Sequence, residues 1–142
     1  MSIDTASTWT YRSFHNRPDT VGDDPNKALA LIFAEATMIF QVPPKAGSVL
    51  GILDMGGGYF LDLAGDLLPS DGVYPSVARI AGVGRVETPT ENWEYDYHGF
   101  IVPTWAKGID QHAAFVGSIL RARPHGSAKA GYTASFIAVL QT

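Results

Sequence analysis

The chain has 142 residues, a net charge of −4 and no cysteine, with 46% apolar and only 17% charged residues. That balance describes one folded domain over residues 1–142 and excludes a disordered chain. Ten basic residues without a cluster leave no footprint for nucleic acid, and the lack of thiols excludes disulfides, thiolate metal sites and a cysteine nucleophile.

The N-terminal stretch MSIDTASTWTYRSF carries Asp4 and no apolar core, so no secretory signal is expected there. No apolar run approaches membrane-spanning length, and a cytoplasmic protein without membrane contact is expected. The first predicted strand is Thr8–Phe14, with Trp9, Tyr11 and Ser13 on one face. His15–Lys27 follows as a long polar loop. Ala28–Val42 is predicted as one long strand; its Ala- and Leu-rich beginning also fits a helix, but the surrounding pattern is all β. Val49–Met55 and Tyr59–Asp66 flank the run GGG, which predicts a tight hairpin needing positive φ. Ser76–Val86, Trp93–Val102, His112–Arg123 and Tyr132–Gln141 complete eight strands, joined by turn-rich stretches and the longer loop Pro103–Gln111.

Eight consecutive strands with mostly short links predict an antiparallel up-and-down sheet. A small chain removes its sheet edges best by closing, so an all-β, eight-stranded barrel is expected. A barrel of that size is either filled by side chains or holds one small ligand. The opening TWTY, residues 8–11, resembles the start of calycin-type barrels such as lipocalins and avidins. RIAGVGRV, residues 79–86, resembles the Gly-rich mid-barrel strand of the allene oxide cyclase and dirigent group. Both resemblances imply a ligand-holding barrel.

Alternation across strands assigns the faces. Around the GGG hairpin, Val49, Leu53, Met55, Tyr59, Leu61 and Leu63 form an apolar inner face, whereas Leu50, Ile52, Asp54, Phe60, Asp62 and Ala64 face out. In WEYDYHGFIV, Trp93, Tyr95 and Tyr97 then point in, and Asp96 and His98 point out. In the last strand the inner face is Tyr132, Ala134, Phe136, Ala138 and Leu140. Glu35 is the only charged residue between Lys27 and Lys45. Three readings are open for it: an acid in the pocket, an ion pair with Arg79 or Arg85, or a bulge that turns it to solvent. Asp96 and His98, two apart on one face, are either an acid–base pair or exposed polar residues.

The four histidines, His15, His98, His112 and His125, lack metal-ligand spacing, and neither a serine-nucleophile elbow nor a phosphate cradle is present, so no metal and no cofactor is expected. The expected function is binding of a small apolar or aromatic molecule inside the barrel. Trp9, Tyr11, Tyr59, Trp93, Tyr95, Tyr97 and Phe136 are the candidate ligand-binding residues, with Glu35, Arg79 and Tyr97 orienting the ligand. The alternative is a cofactor-free isomerase, cyclase or lyase in the same cavity, with Glu35, Arg79, Tyr97 and His98 as acid–base candidates. A solid-cored scaffold protein is the third possibility. Large apolar residues on the outer faces, such as Leu50, Ile52, Phe60, Phe100 and Val102, predict a homodimer.

Overall fold

The computed structural model describes residues 3–142. The strands are β1 (Ser7–His15), β2 (Ile32–Gln41), β3 (Ser48–Asp54), β4 (Phe60–Leu68), β5 (Val77–Gly84), β6 (Glu94–Ile101), β7 (Ala114–Arg123) and β8 (Thr133–Leu140). Each pairs antiparallel with the next, and β8 closes on β1, giving one closed eight-stranded up-and-down barrel. Among the described residues no helix is long and apolar enough to cross a membrane.

Seven of the strands lie within two residues of their expected bounds. The second does not. Its first residues instead form a six-residue helix, α1 (Pro25–Ala30). Asp24 caps it by accepting from the Asn26 N–H at 2.9 Å, and Pro25 occupies the first turn, where its missing N–H costs nothing. Capping chemistry at Asp24–Pro25 therefore outweighs the strand pattern that follows.

The end of the barrel at which β1 finishes carries the loops 16–31, 55–59, 85–93 and 124–132, and is called the upper end here. The predicted hairpin closes there, with Met55 N–H donating to the Tyr59 carbonyl at 2.9 Å. Gly56, Gly57 and Gly58 have φ of +83°, +63° and +85°, which any other residue would adopt only under strain. Register on β3–β4 is as the alternation implied: Leu53 faces Leu61, and Val49, Leu53, Leu61 and Leu63 are buried while Leu50 and Asp62 are exposed.

The lower part of the barrel is solid. Ile3, Trp9, Phe40, Val49, Phe115 and Ala138 are almost completely buried, and the Trp9 ring stands edge-on to Phe40 at 6.2 Å. Above them Phe136 packs against Phe115, Tyr11 and Tyr97 with ring centroids 4.9, 5.9 and 5.7 Å apart. Burial of each such aromatic side chain is worth roughly 1.5–3 kcal/mol before conformational entropy is counted.

Two β-bulges interrupt the ladder, both near the upper rim. On β2, Phe33 is the extra residue: Ser13 pairs with Ala34 and Phe14 with Ile32. On β7, Ala122 is extra: Tyr95 pairs with Arg121 and Glu94 with Arg123. Each bulge resets the alternation of inner and outer faces at the rim.

Candidate functional site

Above Phe136 the interior opens into a cavity of about 260 Å³. Tyr11, Leu53, Leu61 and Tyr97 form its floor and lower wall, and Phe33, Met55, Trp93, Tyr95, Arg121 and His125 its upper wall. The floor residues are buried, whereas the upper set, apart from Tyr95, is half-buried, so the cavity reaches the surface at the upper end. No carboxylate lines it among the described residues.

The floor is buried, and among the described residues no charged side chain lines it. Tyr11 and Tyr97 are hydrogen-bonded to each other, and Tyr11 also to Ser13. Burial pushes both phenols well above their ordinary pKa, so both stay protonated. Gly82 gives Tyr97 its place: a Cβ there would come within 3.1 Å of the Tyr97 ring.

Among the described residues, the hydrogen-bonded polar groups of the mouth centre on Tyr95. The Tyr95 hydroxyl lies 2.7 Å from His125 Nε2 and accepts a hydrogen bond from Arg121 Nε at 3.0 Å. The Tyr95 hydroxyl thus joins His125 and Arg121 in one hydrogen-bonded group. Burial, and then the charge of Arg121, lower the His125 pKa, in keeping with a neutral ring. Trp93 stacks on that ring at 4.2 Å and 17°.

Local backbone explains how His125 gets there. His125 and Ala128 exchange N–H···O bonds of 3.1 and 2.9 Å around Gly126, whose φ is +54°. This turn folds the 124–132 loop back over the barrel mouth. The same loop accepts from Arg121 Nη1 through the Lys129 carbonyl at 3.1 Å. The Arg121 guanidinium lies 5.8, 5.6 and 5.1 Å from the ring centroids of Phe33, Tyr95 and Tyr132. Phe33 and Tyr132 are stacked at 5.7 Å, and His15 packs against both and is hydrogen-bonded to the Tyr132 hydroxyl.

The residues singled out from sequence divide into three groups. Tyr11, Trp93, Tyr95 and Tyr97 line the cavity. Trp9 and Phe136 are interior but belong to the solid core beneath it, and Tyr59 is exposed on the hairpin with its ring 5.9 Å from Trp93. Glu35, Arg79 and His98 are exposed on the outside of the barrel. Glu35 stands directly opposite Arg12 on the exterior, in regular alternation with the buried Met38 and Phe40, so of its three readings the turn to solvent is the one realised. Arg79 faces His98 on the exterior, and Arg85 binds Asp62 at 2.9 Å, so neither approaches the cavity. The assignment of Glu35, Arg79 and His98 to the pocket is thereby corrected. Phe33, Arg121 and His125 were not foreseen there, and Met55 was expected on the inner face without being assigned to the site. Among the described residues no three His, Asp or Glu converge as a metal cluster.

Comparison with protein-family models, curated proteins and solved structures found no match to this chain.

Proposed function

We propose that this protein binds one small aromatic molecule in the upper part of its barrel. The observation that carries the reading is the cavity itself: about 260 Å³, open at one end, walled by aromatic and aliphatic side chains, with a single polar group of residues at the mouth. That volume lies just below the ~300 Å³ at which small-molecule sites begin, so the occupant has one or two rings. Trp93, Phe33 and Tyr95 offer it ring faces and edges, and the Arg121–Tyr95–His125 group orients it. Absence of a cavity carboxylate favours binding over acid–base turnover. The kinship with calycin-type barrels drawn from TWTY belongs to this proposal, and the closed eight-stranded barrel is compatible with it.

One observation favours a cofactor-free enzyme as the second reading: a tyrosine hydroxyl and a neutral imidazole, 2.7 Å apart, form a proton-transfer pair at the cavity wall.

The binding proposal is tested by calorimetric titration with indole and with 2-naphthoate. Saturable binding of at least one is expected, weakened about tenfold or more in Trp93→Ala, which loses much of the ring contact at the mouth. No saturable binding of either compound, or equal binding by the variant, rejects the proposal.

A further inference from the structure

Resting on that reading, we infer that the ligand is an aromatic carboxylate, its acid group held by Arg121. Arg121 is the one fixed cation lining the cavity, and among the described residues no carboxylate neutralises it. The described ion pairs, Arg85–Asp62 and Arg123–Glu94, involve other residues. The bulge at Ala122 produces this selection: it leaves Arg121 opposite Tyr95 on the cavity wall and sets Arg123 opposite Glu94 at the rim.

The partners that Arg121 does have hold the guanidinium without using it up. Nε–H donates to Tyr95, and one Nη1–H donates to the Lys129 carbonyl. A guanidinium carries five N–H donors, so three are left over, two of them on Nη2. The ring faces of Phe33, Tyr95 and Tyr132 fix the plane of the group. The result is an oriented fork that matches the two oxygens of a carboxylate. His125 is kept neutral by burial and by Arg121, so it adds a dipole and no second charge. The floor rings of Tyr11 and Tyr97 lie below the fork, so a planar acid enters ring first and leaves its carboxylate at the mouth, where desolvation is least costly.

The experiment compares 2-naphthoate with 2-naphthamide, which share shape and differ in charge, by calorimetry at neutral pH. In the unmodified protein the acid is expected to bind at least about tenfold more tightly than the amide. In Arg121→Met that preference collapses, the acid losing far more affinity than the amide. Arg121→Lys retains the charge without the fork and keeps only part of the preference. Added salt, measured on the unmodified protein, weakens the acid and leaves the amide unchanged, which keeps the test independent of how well the variants fold. Equal affinity for the two ligands overturns the carboxylate assignment and leaves the binding proposal standing. A preference that survives Arg121→Met overturns the role of Arg121. Failure of both ligands to bind rejects the inference together with the reading beneath it.

Discussion

The two ends of this barrel are built from the same alternating strands and have opposite characters. At the lower end Trp9 is completely buried, meets Phe40 edge-on and donates its Nε1–H to Ser7 Oγ at 2.9 Å. At the upper end Trp93 is half-buried, stacked on a histidine, and borders an open cavity. One tryptophan fills space and the other borders it. The contrast shows a packed end and an open end along one axis, which under the binding proposal divide stability from recognition.

The largest effect that could break this division comes from Trp9→Ala. Deleting a fully buried indole from a packed interior costs about 3–5 kcal/mol, a large share of a stability of roughly 5–15 kcal/mol. A denaturant midpoint falling by that amount is the expected result. A midpoint close to the original would mean that the lower end is not the solid core it is taken to be.

Acid sharpens the same comparison, because the two ends titrate in different windows. At the upper end, burial foremost, and then neighbouring arginines, lower the pKa of His125 and of His15 below 6.5. Their unfolded forms bind protons first, so the stability they contribute is complete above pH 6.5 and is lost as pH falls through their lowered folded values. In the lower-end loop 69–76, the N–H groups of Tyr74 and Val73 hold the Asp71 carboxyl below 3.8, and its contribution is lost only below that pH. Melting temperature followed from pH 8 downward should therefore begin to fall below about 6.5, the ordinary histidine value. The His15→Gln, His125→Gln double variant should flatten that first decline and leave the later one. A first decline untouched by the double substitution would remove the upper end as its source.

The smallest effect belongs to the barrel wall, which should be neutral ground between the ends. Glu35→Gln changes an exposed side chain, so stability should move by no more than about 0.5 kcal/mol and ligand affinity should not change. A clear loss of binding, measured by the same titration, would return Glu35 to the site.

Alternation made much of this legible. Trp9, Tyr11, Tyr95, Tyr97, Phe136 and the β3–β4 residues face inward as a period of two demands, because a one-residue slip would have put those rings in water. On β2 the face of Glu35 stayed open in the sequence because helix α1 and the bulge at Phe33 break the pattern before it, while the buried Met38 and Phe40 after it set its outward phase. A bulge has no strong sequence signature, since it satisfies the same hydrophobic residues in a different register. Arg121 did carry a signal. It continues the inner face of Phe115, Gly117 and Ile119, and a lone arginine ending such a face marks either a mouth or a buried charge. His125 carried none, because its position depends on how PHGSA turns and not on any strand.

The bulges have a consequence for how such a protein can change. Ordinarily a strand mutates one side chain at a time, and an inserted or deleted residue is ruinous because every side chain beyond it swaps faces. Here Phe33 and Ala122 already absorb one residue each at the rim, above the solid core. Removing or adding a residue at those two places would exchange the side chains presented to the cavity as a set while leaving the lower strands in step. Under the binding proposal, the rim can therefore change specificity by single-residue insertions and deletions, a route closed to the rest of the wall.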